Sequence, residues 1–305
     1  LELYPGRCTG NPMTTAAPTD YYAVLGHPIH HSLSPQIHAA FAAQTGQALR
    51  YTALDVAPAE LTATLTRLPT EGFRGVNITV PHKEAAWAYA QQHGTLSERA
   101  AMAGAVNTLA WTANGILGDN TDGQGLLNDL QQRHALSLRG QRVLLLGAGG
   151  ATRGVVLPLL AAAPALLVIA NRTAERAQEL ANLFTPNAVT AGCLLHGCGL
   201  DALSQVVKTT GGFDIVINAT SASLGGEAIT LPPGTITADG FAYDMMYGKN
   251  PTPFLVAQQQ AGMTRLADGL GMLVEQAAVA FALWRGVMPA TQPVYNALRE
   301  QLTHS

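Results

Sequence analysis

The amino-acid sequence predicts an α/β fold of two domains, the first with a mostly parallel sheet and the second doubly wound, with helices at the C-terminal end returning to the first. Three observations carry this. Strand-like and helix-like segments alternate from Tyr21 onward, an order that gives parallel sheets because parallel strands need a crossover, usually a helix. After its leading arginine, Arg142 to Leu146 is apolar throughout, as in a strand covered on both faces, and it runs straight into Gly147-Ala148-Gly149-Gly150-Ala151. The 305 residues suffice for two ordinary domains, which mostly run to roughly 100–200 residues each.

Taken in order, Tyr21 to Leu25 reads as a short strand ending at Gly26-His27-Pro28. Ser34-Pro35 opens a helix to about Thr45, with serine as the N-cap and proline in the first turn. A strand over Arg50 to Leu54, a helix over Pro58 to Leu68, a strand over Gly75 to Val80 and a helix from Pro81 to His93 continue the alternation. Thr95 and Glu98 have the spacing of a capping box, and Val106 to Trp111 with Ile116 to Gly118 form a hairpin around Asn114-Gly115. A long helix from Gly123 to about His134 precedes strands at Arg142 to Leu146, Leu166 to Ala170, Phe213 to Asn218 and Phe241 to Met245. Gly271 to Gly286 and Gln292 to Leu302 read as closing helices. The expected domains are 21–122, 123–270 and the returning helices of 271–305. Residues 1–20 are expected to be a poorly ordered leader or cloning remnant, since Leu1 to Pro12 lacks the regions of a signal peptide and precedes Met13.

Composition narrows the function classes. With 48% hydrophobic and 12% charged residues and 31 glycines, the chain suits a compact enzyme rather than a disordered or fibrous protein. A net charge of −3 supplies no broad basic surface for nucleic acid or anionic lipid. No stretch approaches the roughly 20 consecutive apolar residues of a membrane span, the richest, Val155 to Ala170, being interrupted by Pro158 and Pro164. The odd set of Cys8, Cys193 and Cys198 fits a reducing compartment, with the cytoplasm as the default. Cys193, His196 and Cys198 lie close together, but a structural zinc needs four ligands, so no metal is expected.

The glycine run is the first chemical signal. Gly147-Ala148-Gly149 follows a buried strand and opens a helix, so free amides and the positive helix end can face a pyrophosphate, with Gly150 and Ala151 completing the turn. Thr152 replaces the third glycine of the usual pattern, a change that bears on helix packing. At the end of the next strand, where a carboxylate would meet the ribose hydroxyl of NAD, stand Asn171-Arg172-Thr173, with Arg176 one helical turn on. A guanidinium can meet a 2′-phosphate with paired donors, so the expected cofactor is NADP, bound in a Rossmann-type domain.

The second signal is a lysine. Lysine occurs three times, as Lys83, Lys208 and Lys249, and Lys83 enters a helix three residues after a strand. An ammonium there opposes the helix dipole and is poised for proton transfer. Asp122, in Gly118-Asp119-Asn120-Thr121-Asp122-Gly123, stands where the two domains should meet and supplies a counter-charge in a cleft. Such a pair can give a proton to a ketone oxygen as hydride arrives and take it back in reverse. Taken alone, the two residues fit a surface lysine and a loop aspartate equally well.

From about Tyr21 to its end the chain resembles the shikimate dehydrogenase family. The strings are Ser32-Leu33-Ser34-Pro35, Asn77-Ile78-Thr79-Val80-Pro81-His82-Lys83-Glu84, Gly104-Ala105-Val106-Asn107-Thr108, Gly118 to Gly123, Gly147 to Ala151, Asn171-Arg172-Thr173, and Ala267-Asp268-Gly269-Leu270-Gly271-Met272-Leu273. The resemblance implies NADPH-dependent reduction of 3-dehydroshikimate to shikimate with Lys83 and Asp122 as the catalytic pair. It further implies that Ser32, Ser34, Thr79, Asn107, Asp122, Tyr247 and Gln276 hold the substrate, and that Met245 and Gly269 line the nicotinamide end. The residue types agree: Ser32 and Ser34 flank a helix N-terminus suited to a carboxylate, and the Asn107 and Gln276 amides suit a ring bearing several hydroxyls. Leu33 between the serines and His82 before the lysine depart from the pattern without removing a functional group. His27, His30, His31 and His82 gather in the same region, yet the reaction already has its proton donor without a metal.

Two other readings stay open at this level. One is a quinate/shikimate dehydrogenase, often using NAD, against which Asn171-Arg172-Thr173 argues by charge. The other is a non-catalytic NADP-binding regulator, against which the retention of both Lys83 and Asp122 speaks. The expected partner is a small molecule, with neither nucleic acid nor membrane, and a homodimer is left open as the assembly.

Overall fold

In the computed structural model, residues 19–220, 222 and 229–304 are described. The expected leader and Cys8 lie outside them as far as residue 18, while Asp20 already begins the first strand.

The first half runs β1 (Asp20–Gly26), α1 (Ser34–Thr45), β2 (Leu49–Asp55), α2 (Leu61–Arg67), β3 (Phe73–Ile78), α3 (Lys83–His93), β4 (Gly94–Leu96), α4 (Glu98–Ala103), β5 (Thr108–Thr112) and β6 (Gly115–Asp119). Its strands form one sheet in the order β2-β1-β3-β5-β6-β4. β1 pairs in parallel with β2 and β3, and β4 in parallel with β6, whereas the β5–β6 hairpin is antiparallel. Residues 22–25 of β1 are all buried because the strand is central and both faces are covered.

The chain then crosses through α5 (Asp122–Asn128) into β7 (Arg142–Leu146), α6 (Gly150–Ala161), β8 (Leu166–Asn171), α7 (Ala174–Ala191), β9 (Leu194–Gly199), α8 (Leu203–Thr210), β10 (Phe213–Asn218), β11 (Ile236–Asp244), α9 (Pro253–Gln260) and β12 (Leu266–Asp268). This second sheet is parallel throughout, in the order β12-β11-β10-β7-β8-β9. β7 sits in its middle, and its side chains alternate between the two core layers: Val143 and Leu145 enter one, Leu144 and Leu146 the other.

Two last helices, α10 (Leu270–Arg285) and α11 (Gln292–His304), turn back to the first sheet. Leu270, Val274, Ala277, Ala278 and Phe281 share a core with Ile37 and Phe41 of α1 and with Val294 and Leu298 of α11. Trp284 Nε1 donates to the Leu109 carbonyl of β5 at 3.0 Å.

Several local expectations are corrected. The N-cap of α1 is Leu33, not Ser34, and Ser34 is the first helical residue. The capping serine before α4 is Ser97, which accepts from the Ala100 amide, while Thr95 lies in β4. α3 starts at Lys83 rather than at Pro81, and β3 ends at Ile78. The expected helix past Gly123 is α5 followed by a wider π-type turn over Asp129–Arg133. β9 and β12 went unread, β9 because Gly197 and Gly199 weaken a strand signal. Gly197 is required there, since a Cβ would run into the Ala177 backbone of α7.

α5 is held between two helices by glycines on opposite faces. A Cβ on Gly123 would collide with the Gly154 carbonyl of α6, an oxygen left without its usual helical donor because Pro158 has no N–H. A Cβ on Gly125 would come within 2.6 Å of the Gln276 backbone nitrogen of α10. Just beyond, buried Asp129 accepts from Arg133 Nε at 2.8 Å and from the Tyr243 hydroxyl of β11 at 2.7 Å, and Arg133 also reaches Glu275 of α10 at 3.2 Å. These buried charges are paired and hydrogen-bonded, as burial demands.

Candidate active site

The carboxyl ends of the first sheet and the start of α10 enclose a cavity of about 360 Å³. The loop after β1 brings Ser32 and Ser34, the end of β3 brings Thr79, α3 brings Lys83, and the chain around the β5–β6 hairpin brings Asn107 and Asp122. From the opposite side come Met245, Tyr247, Gly269 and Gln276. Residues from Ser32 to Gln276 in the sequence are thus gathered around one space.

Its centre is an ion pair. Lys83 Nζ donates to Asp122 Oδ2 at 2.5 Å, the two side chains being 27% and 12% exposed, so the pair is reachable from the cavity yet largely shielded from water. Asp122 Oδ1 accepts from Asn107 Nδ2 at 2.8 Å, and the Asp122 amide donates to Asn120 Oδ1 at 3.2 Å. Asn107 Oδ1 accepts from the Thr121 amide at 2.8 Å, which fixes the orientation of its amide. Asn107 therefore holds the carboxylate as well as facing the cavity. The lysine spends one of its three donors on Asp122, leaving donors for a ligand oxygen.

A second cavity, about 740 Å³, lies at the carboxyl ends of β7, β8 and β10. Gly147, Ala148, Gly149, Gly150 and Ala151 line one side of it, and Asn171, Arg172 and Arg176 another. Gly147 has φ +107°, and a Cβ there would meet Thr220 at 3.0 Å, so the turn needs glycine. Gly149 is the N-cap of α6, whose first amides face outward without intrahelical partners. Glycine turn, helix start and two guanidinium groups together fit a dinucleotide carrying an extra phosphate.

Residues 24–109 match the family described as the shikimate dehydrogenase substrate binding domain, residues 129–225 shikimate / quinate 5-dehydrogenase, and residues 269–299 the shikimate 5′-dehydrogenase C-terminal domain. The chain is 54% identical to a shikimate dehydrogenase (NADP(+)) of Aromatoleum aromaticum over 93% of its own length and 98% of the relative's. The chain belongs to the shikimate dehydrogenase family. Among solved structures it is similar to an Ael1 enzyme from Pseudomonas putida, with a TM-score of 0.83, 44% identity and coverage of 93% and 98% of the two chains. It is also similar to shikimate 5-dehydrogenase of Thermus thermophilus in complex with NADP(H) and shikimate, with a TM-score of 0.78, 33% identity and coverage of 93% and 100%.

The structure places the other residues named from the sequence as follows. Met245 and Gly269 line the first cavity, on its side toward the second sheet. Thr173 is the N-cap of α7 and lines neither cavity; its carbonyl accepts from Asn171 Nδ2 at 3.0 Å, so part of the asparagine amide serves its own turn. Thr152 is fully buried beneath the glycine turn. Ser32 Oγ accepts from the Ser34 amide at 3.3 Å, capping the first turn of α1. Gln276 Nε2 donates to the Leu273 carbonyl at 2.8 Å, and its Oε1 accepts from Asn107 at 3.4 Å. Burial and then the nearby Asp268 charge raise the Tyr247 phenol.

His82, His27 and His30 have local partners. His82 is buried with Nε2 against the Val56 carbonyl at 2.7 Å, and His27 and His30 both face Asp55. Cys193 and Cys198 belong to core layers on opposite faces of the second sheet, and burial raises both thiols. Among the described residues no group of three or more histidine, cysteine, aspartate or glutamate side chains is placed to hold a metal. Likewise no described helix is long and apolar enough to cross a membrane.

Sequence reasoning missed Asn77, which lines the first cavity two residues before Thr79 on β3. Period-2 alternation was the available signal, since residues two apart point to one face. It also missed Asp119, buried three residues before Asp122 and bonded to Ser97, Arg99 and the Asn120 amide.

Proposed function

We propose that this chain is an NADP-dependent shikimate dehydrogenase, reversibly reducing 3-dehydroshikimate to shikimate in the pathway to chorismate and aromatic amino acids. The single observation that carries the reading is the Lys83–Asp122 pair facing a cavity of substrate size, with the glycine turn and its arginines on the adjoining sheet. The relatives bear that name at about half identity, and the Thermus thermophilus neighbour binds NADP(H) and shikimate.

The Lys83 ammonium delivers its proton to the ketone oxygen in the reductive direction and recovers it from the alcohol in the other. Asp122, held at Oδ1 by Asn107, turns Oδ2 to the ammonium and keeps it aimed. The Ser32 and Ser34 side chains at the start of α1 take the substrate carboxylate, while Thr79, Asn107, Tyr247 and Gln276 meet the ring hydroxyls. Bound NADPH supplies the hydride to the carbonyl carbon. Arg172 and Arg176 hold the extra phosphate, Asn171 and Thr173 shape the turn beside them, and Met245 and Gly269 abut the nicotinamide end.

The domain division in this reading is 21–122 for substrate, 123–270 for NADP and 271–305 for the helices that return, in keeping with the two sheets and the shared core of α1, α10 and α11. The cytoplasm suits the buried free thiols of Cys193 and Cys198. The test is absorbance in the NADPH band after mixing purified protein, NADP and shikimate. Growth of the band with shikimate and NADP, slower with NAD and with quinate, supports the assignment; a clear preference for NAD or quinate overturns it.

A further inference from the structure

Behind the first cavity lies a buried polar layer whose outermost member, Tyr51, does not itself reach the ligand space. The Tyr51 hydroxyl of β2 donates to Asn77 Oδ1 of β3 at 2.8 Å. Asn77 Nδ2 in turn donates to the Asn107 carbonyl at 3.2 Å and to Thr108 Oγ1 at 3.0 Å. Asn77 and Ser34 line the cavity, and Tyr51 does not.

The phenol is rigidly placed. The His38 imidazole stacks on it with centroids 4.1 Å apart and planes at 5°, and Trp284 closes the same aromatic cluster. His38 stays neutral at any working pH, because burial lowers it to about 3 against a smaller opposite effect of the Asn77 side chain beside it. Burial keeps the Tyr51 phenol protonated and so always able to donate. With the phenol proton directed at Oδ1, the Asn77 amide cannot flip without leaving a buried donor facing a donor.

We propose that Tyr51 is a positioning residue for the substrate, fixing through Asn77 one polar wall of the cavity without touching what binds there. The role rests on the proposed function, because it concerns how that substrate is held.

Tyr51→Phe removes the hydroxyl and keeps the stacked ring. The expected result is a KM for shikimate raised about five- to tenfold, the scale of one buried hydrogen bond, with kcat and the KM for NADP within about twofold of wild type. An unchanged shikimate KM overturns the positioning role. A fall in kcat with an equal rise in both KM values overturns it too, as the mark of a general loss of fold. Because Tyr51 acts through its neighbour, Tyr51→Phe combined with Asn77→Ala should raise the shikimate KM no further than Asn77→Ala alone, and additive effects count against the proposal. Wild-type protein that leaves NADP unreduced with shikimate present overturns the proposed function itself, a result separate from every variant.

Discussion

Lys83 and Asp122, 39 positions apart, are each the first residue of a helix, and their side chains meet at 2.5 Å where α3 and α5 begin. The dipole of a helix start favours the carboxylate and disfavours the ammonium, so the aspartate offsets the cost of the lysine's position. The lysine keeps donors for a ligand, and the aspartate has both oxygens engaged.

Removing the ammonium should therefore strike the chemical step. Lys83→Ala is expected to lower kcat about 100-fold or more, with a smaller change in the KM for shikimate. Steady-state rates at saturating NADP check this, and equal activity removes Lys83 from the mechanism.

The arginine pair should act on the cofactor alone. Arg172→Ala is expected to raise the KM for NADP about tenfold or more while sparing kcat, because a charge-assisted contact to phosphate is lost and the proton pair is intact. The ratio of NADP to NAD efficiency falls with it. A drop in kcat at saturating NADP would contradict this division of labour.

Acid stability should depend on a residue outside both cavities. Burial by itself would raise the Asp119 carboxyl, but the bonds and charge of Arg99, with Ser97 and the Asn120 amide, outweigh it and hold the group below its ordinary value of 3.8. A depressed group stabilises the fold above its unfolded value and loses that contribution as pH falls through the folded one. Arg99→Ala should thus cost roughly 3 kcal/mol at neutral pH, the scale for stripping one partner from a buried pair. The gap from wild type should narrow below about pH 4, where the lone carboxyl takes up a proton. Urea unfolding at both pH values decides it: a gap of constant size counts against the pairing.

Close packing around α5 should be intolerant of a single methyl. Gly125→Ala places a Cβ 2.6 Å from both the nitrogen and the Cβ of Gln276, so α10 must shift. We expect a loss of about 1–3 kcal/mol in stability, as for overpacked cores, and a higher shikimate KM because Gln276 moves with its helix. Thermal unfolding with shikimate kinetics checks both, and a KM unchanged alongside reduced stability would detach Gln276 from the effect.

The two-sheet architecture was legible because β7 is apolar after its leading arginine and followed by a glycine turn, and because strand-like and helix-like segments alternate through the first half. β4 and β12 escaped because strands of three residues are too short for alternation to show. Pro158, read as interrupting an apolar stretch, sits inside α6, and Pro186 inside α7, where tertiary packing overrides local preference. At the site, residues bearing chemistry of their own, such as Lys83, Asp122 and Arg172, could be picked out one at a time. Asn77, Tyr51 and Asp119 matter only through what they touch across the sheet, and such contacts leave no mark in linear order.

α5, wedged by its glycines between α6 and α10, sets the mechanics of any hinge between the two sheets. A swing about that crowded axle moves atoms in proportion to their distance from it. Asp122, at the axle's own tip, and Gln276, pressed against its flank, would scarcely travel. A swing of that kind would leave the carboxylate that pairs with Lys83, and the amide beside it, where they stand, whichever sheet travels.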